Sequence, residues 1–122
     1  YSTSLSTVSV AAALKSLDIF MSHKELYKSL VDRKFKIIKT VGAAGIKLVV
    51  HDSMILLAPC DNIESAVSRL LEDGFVAIPT EACIGNQKRD CLRITPMVLH
   101  TDDDIAKFAD SLRKNMTQPV NL

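Results

Sequence analysis

Cys91–Leu112 reads CLRITPMVLHTDDDIAKFADSL. Its first half alternates: Leu92, Ile94, Pro96 and Val98 fall on one side of an extended segment, and Cys91, Arg93, Thr95 and Met97 on the other. Its second half changes period. Ile105, Phe108, Ala109 and Leu112 recur at the spacing of an amphipathic helix. Thr101 stands at the N-cap position, and Asp102, Asp103 and Asp104 fill the first turn, where the helix dipole favours negative charge. A strand therefore feeds a helix that folds back over the Leu92/Ile94 side. Arg93 points away from that core, and its guanidinium is either a solvated charge or a carboxylate clamp.

Working outward, Phe75–Ile78 reads as a short strand stopped by Pro79. Thr80–Asp90 reads as a polar turn region around Gly85-Asn86. Upstream, Asp61 and Glu64 are expected to cap a helix carrying Ile63, Val67, Leu70 and Leu71, closed by Gly74. Met54–Ala58 is apolar on both faces, as an interior strand requires, and Gly45–Val50 reads as another strand.

Residues 22–41 open on Ser22-His23-Lys24-Glu25, a capping-box pattern. They carry Leu26, Leu30, Val31, Phe35, Ile37 and Ile38, with a solvated cationic face opposite and a stop at Gly42 and Gly45. Residues 1–21 are polar at first, then alanine-rich and apolar over more than one face, so that helix calls for burial on more than one side. It is expected to pack on a larger domain or a second copy. Residues 22–115 form the domain proper, and 116–122 a fraying tail. The fold class is α+β: a two-layer sandwich, with helices on one face of a four-stranded, largely antiparallel sheet.

The chain has 122 residues, with 15 Lys plus Arg against 14 Asp plus Glu, a balance unlike that of a phosphate-neutralising nucleic-acid binder. Aromatic residues are too few for base-stacking platforms. No apolar run approaches a membrane span, so no membrane association is expected. Cys60, Cys83 and Cys91 are odd in number and widely spaced, which suggests reduced, cytoplasmic thiols. His23, His51 and His100 are scattered, so no metal site is expected, and Asp102–Asp104 read as capping rather than ligating residues. His100 lacks a paired nucleophile and reads as a packed or hydrogen-bonding histidine. Cys91 lacks a base and reads as a small hydrophobe.

Several stretches together resemble the C-terminal domain of the α-oxoamine synthases. YSTSL before an alanine-rich helix is similar to the start of that domain. Cys91-Leu92-Arg93-Ile94-Thr95 is similar to the family's RLRIT strand, His100–Ile105 to its HT-x-x-D-I helix start, and Asp61–Gly74 to its dn-x-x-A-x-x-L-x-x-x-G helix. The resemblance runs from Tyr1 to about Leu112. The family's PPTVP stretch falls at Ala82–Asn86, and Cys91 replaces the first arginine of RLRIT.

The resemblance implies the small domain of a homodimeric, pyridoxal-phosphate (PLP) enzyme of the aspartate-aminotransferase fold. Such an enzyme condenses an acyl-CoA or acyl-carrier thioester with an amino acid, with loss of CO2. Arg93 then matches the arginine that grips the amino-acid carboxylate. Tyr1, Ser2 and Thr3 lie at the dimer-crossing segment, Ser2 and Thr3 near the cofactor phosphate of the partner subunit. The Schiff-base lysine and its companions belong to a catalytic domain not contained in these residues, so this chain alone is expected to be inactive. Two other readings stand beside this one: the small domain of an aminotransferase or lyase of the same fold type, and a stand-alone ligand-sensing or interaction module.

Overall fold

A computed structural model describes residues 5–117. The expectations for Tyr1, Ser2 and Thr3, and for the tail beyond Thr117, lie outside them. The elements follow the expected order: α1 (Thr7–Ser22), α2 (Lys24–Ala43), β1 (Val49–Val50), β2 (Leu56–Pro59), α3 (Ile63–Glu72), β3 (Ile78–Ile84), β4 (Gln87–Ile94) and α4 (Asp102–Asn115). The strands form one antiparallel sheet in the order β1-β2-β4-β3. This is the α+β sandwich expected from the sequence.

The core lies between the sheet and α2, α3 and α4. Leu56 pairs with Ile94 and Ala58 with Leu92 across β2 and β4, and all four are buried. Ile37 and Val41 from α2, Ala66 and Leu70 from α3, and Ile105, Ala109 and Leu112 from α4 close over them. The stripe at 105, 108, 109 and 112 thus does what its spacing demands, with Phe108 only half-buried at its edge. Beyond the last helix, Met116 packs on the core, and the Thr117 carbonyl accepts from the Asp61 amide at 3.0 Å.

α4 begins as the sequence foretells. Thr101 Oγ1 accepts from the Asp104 amide at 3.1 Å, and Asp104 Oδ2 accepts from the Thr101 amide at 2.8 Å, a reciprocal capping box. The other two expected boxes do not form. Ser22 is the last residue of α1, and α2 starts from His23, which makes no side-chain capping bond. α1 and α2 are nearly continuous there, leaving no room for a separate cap. α3 starts from Asn62 rather than Asp61, again without a side-chain cap.

The region from Phe75 to Asp90 also departs from expectation. β3 does not stop at Pro79 but begins at Ile78 and runs through it, and Thr80–Asp90 is a hairpin rather than a polar turn region. β3 is an edge strand, where a residue without an N–H is tolerated. Gly85-Asn86 is the turn itself, joining Ile84 to Gln87, and Gly85 has φ +60°, as the first central residue of a type II′ turn needs. At the other edge, β1 is shorter than Gly45–Val50.

α2 holds one more surprise. Its cationic face is not wholly solvated: Lys34 is only 7% exposed, and its Nζ donates to the carbonyls of His51 and Ser53, each at 2.8 Å. Phe35, read as part of the apolar stripe, faces out at 63% exposure.

α1 buries none of its side chains. Val8, Val10, Leu14, Leu17, Ile19, Phe20 and Met21 are all exposed, and α1 packs on α2, where Phe20 meets Tyr27 edge-on at 6.2 Å.

Candidate functional site

Arg93 occupies the place that alternation assigns to it. Leu92 and Ile94 are buried under the helices, and Arg93 is exposed on the opposite face of β4. Directly across from it stand Leu57 on β2 and Ile78 on β3. Cross-strand partners share a face, so the guanidinium stem lies between two apolar neighbours.

The open face is not uniformly bare. Cys91, two residues earlier, is fully buried, as is its partner Pro59. Cys91 Sγ donates to the Arg89 carbonyl at 3.6 Å, and burial raises its pKa above the ordinary thiol value. Burial raises the pKa of Cys60 in the same way. Neither thiol is poised as a nucleophile.

Arg93 reaches a pocket of about 390 Å³ at the end of the sheet. Phe75 to Ile78, leading into β3, form one wall, and Phe108 and Ile105 of α4 form another. Gly74 makes this wall possible. Its φ of +89° turns the chain after α3, so that the Phe75 amide donates to the Leu70 carbonyl at 2.8 Å. The Phe75 ring then packs on Phe108, with centroids 5.3 Å apart. The remaining rim comes from Thr95, Met97, His100 and Asp104.

The polar groups on the rim are already partly engaged. His100 Nδ1 accepts from the Met97 amide at 3.2 Å, which leaves Nε2 to carry the proton of the neutral ring. This is the hydrogen-bonding histidine expected from the sequence. The Asp104 carboxylate is held by the Thr101 hydroxyl at 2.6 Å and by the Thr101 amide, and these bonds lower its pKa. Asp102 turns instead to Lys36 and to Arg33, the latter at 2.5 Å, and Asp103 to Lys107 at 2.6 Å. The three aspartates thus turn to different partners, and among the described residues no group of His, Cys, Asp or Glu converges as metal ligands.

Sequence reasoning picked out Arg93 and His100 but did not bring them together. It also missed the apolar walls, because Phe75 and Phe108 meet only through the Gly74 turn. Lys34 was missed as well, although Lys34, Ile37, Ile38 and Val41 share one helical stripe, a pattern that places the lysine toward the core.

No family profile matches the chain. It is 33% identical over 114 residues to a provisionally named 8-amino-7-oxononanoate synthase from Thermodesulfovibrio yellowstonii, covering 92% of this chain and 29% of that protein. Two solved structures share the fold, each at 22% identity and each covered to 31% by 93% of this chain. One is SPT with a PLP internal aldimine, at a TM-score of 0.75. The other is a lysine-to-alanine variant of the serine palmitoyltransferase from S. paucimobilis with a bound PLP–myriocin aldimine, at 0.72. The chain has the small-domain fold of the α-oxoamine synthases. This small domain spans less than a third of the length of the proteins it matches.

The described residues do not by themselves fit pyridoxal phosphate. No lysine lines the Arg93 pocket, and the buried Lys34 has its amine engaged by two carbonyls. Among the described residues, no helix is long and apolar enough to cross a membrane.

Proposed function

We propose that this chain is the small domain of a cytoplasmic, homodimeric α-oxoamine synthase that condenses an acyl-CoA or acyl-carrier thioester with an amino acid, with loss of CO2. The reaction proposed is of the 8-amino-7-oxononanoate synthase kind, as in biotin biosynthesis. The role of these residues in it is substrate binding: Arg93 clamps the carboxylate of the amino acid. PLP and its lysine supply the carbanion chemistry from the larger part of the enzyme.

One observation carries this reading. Arg93 is exposed on the sheet face away from the core, at the rim of a pocket, in a strand similar to the family's carboxylate-binding strand. A guanidinium offers a planar fork that matches a carboxylate, and an ammonium cannot reproduce it. The test is amino-acid-dependent release of thiol from the acyl donor by the full-length enzyme. Arg93→Lys should lower kcat/KM for the amino acid by about 2–4 kcal/mol in transition-state binding, since it leaves a partly desolvated carboxylate badly paired. Wild-type kcat/KM in Arg93→Lys would refute the clamp.

A further inference from the structure

Met97 and His100 are joined twice. The His100 amide donates to the Met97 carbonyl at 3.2 Å, which closes a β-turn with Val98 and Leu99 at its tip. In the reverse direction the Met97 amide donates to His100 Nδ1, also at 3.2 Å. The turn lies between β4 and α4, and both of its ends line the pocket, so its closure shapes that rim. Its side chains give it little packing, with Met97 52% and Leu99 83% exposed.

The two bonds differ in chemistry. The bond from amide to carbonyl does not involve a titrating group. The bond from amide to imidazole does, because it uses the lone pair of the neutral ring. Nε2 then carries the ring proton, and a second proton has only Nδ1 to occupy. Placed there, it turns the acceptor into a donor facing another donor, and the bond is lost. Histidine is the side chain that changes charge between about pH 5 and 8. Among the described residues lining the pocket, the charged groups are Arg93 of β4 and Asp104 of α4. α2 contributes Ile37, and the connection into β3 contributes uncharged residues. Arg93 and Asp104 act in opposite directions on an added proton.

We propose that His100 is a proton-sensitive latch on the pocket rim. Neutral, it holds the Met97–His100 turn shut; protonated, it releases the Met97 amide and lets the turn open. The latch depends on this turn and is independent of what Arg93 binds.

The experiment follows the isotope-labelled 122-residue chain by NMR from about pH 8 to 5. It records the His100 ring nitrogens, the Met97 amide shift, and the exchange of that amide corrected for its intrinsic pH dependence. At the alkaline end the ring should carry its proton on Nε2. The Met97 amide shift should then titrate with the same midpoint as the ring. Its protection should fall by about five- to tenfold, as loss of one hydrogen bond implies. His100→Asn places an amide oxygen near the position of Nδ1 and has nothing to titrate, so the Met97 amide should stay protected throughout. His100→Leu offers no acceptor and should leave that amide unprotected at every pH.

Both variants keep Asp104, whose bonds from Thr101 hold its pKa below the usual carboxylate value. A Met97 titration that persists in His100→Asn would therefore assign the effect to another group and overturn the latch. A neutral ring protonated on Nδ1, or a Met97 amide indifferent to the charge of the ring, would overturn it as well. Neither of these last two readings needs a variant, so a substitution that failed to fold would not shield the proposal.

Discussion

Lys34 Nζ donates a 2.8 Å hydrogen bond to the carbonyl oxygen of His51, and so ties α2 to the loop ahead of β2. The same ammonium holds the Ser53 carbonyl at 2.8 Å. Hydrogen bonds to a charged donor are stronger than neutral ones, and losing the donor leaves two carbonyls to be resatisfied. Lys34→Met should therefore lower unfolding free energy by about 1.5–3 kcal/mol in denaturant titration. A variant as stable as the parent would mean that water replaces the amine without loss.

Adjacent residues on β4 should behave in opposite ways. Leu92 is fully buried and Arg93 exposed. Leu92→Ala should cost about 2–5 kcal/mol, as other leucine-to-alanine truncations in cores do. Arg93→Ala should cost about 1 kcal/mol or less, the usual range for surface positions. Comparable losses at both positions, measured by chemical denaturation, would show that Arg93 serves the fold.

Acid should loosen the start of α4. Hydrogen bonds from Lys36 and Arg33 lower the pKa of Asp102, and those from Thr101 lower that of Asp104. A carboxylate whose pKa is lower in the folded chain contributes stability that is fully present above its unfolded value. That contribution is lost as pH falls through the folded value. The gap in melting temperature between the parent and Asp102→Asn should thus stay constant from neutral pH down to about 5, then narrow in stronger acid. Both partners are solvent-accessible, so the gap should also shrink with added salt. A gap that widened in acid would reverse the sign of this account.

The capping box gives a second handle. Thr101→Ala removes the acceptor for the Asp104 amide and should cost about 1 kcal/mol. Thr101→Ser should restore most of it, which thermal unfolding can resolve. Equal losses in both variants would point to methyl packing rather than capping.

α1 exposes an apolar surface on several sides, with Leu14 at 59% and Phe20 at 54% exposed. Surfaces of this kind drive association. The 122-residue chain should self-associate with rising concentration in sedimentation velocity, and Leu14→Lys with Leu17→Lys should shift it toward monomer. A parent that stays monomeric throughout would remove the need for a covering partner.

Much of the architecture was legible because local signals sufficed. The helical period at 105–112, the cap at Thr101, the stop at Gly74 and the turn at Gly85-Asn86 each depend on neighbours within a few residues. Alternation along β4 placed Arg93 opposite Leu92 and Ile94 without any knowledge of the fold. Other features required contacts distant in sequence. Pro79 sits within β3 only because that strand lies at the sheet edge, a fact of pairing order. Thr80 to Ile84 and Gln87 to Asp90 read as loop because neither half carries an apolar run, yet the backbone groups of each half satisfy the other. Lys34 needed the carbonyls of His51 and Ser53, 17 and 19 residues away, to justify a buried amine. The pocket was least visible of all. Its walls come from the connection into β3 and from α4, and its head group from β4, so its shape exists only where these segments meet.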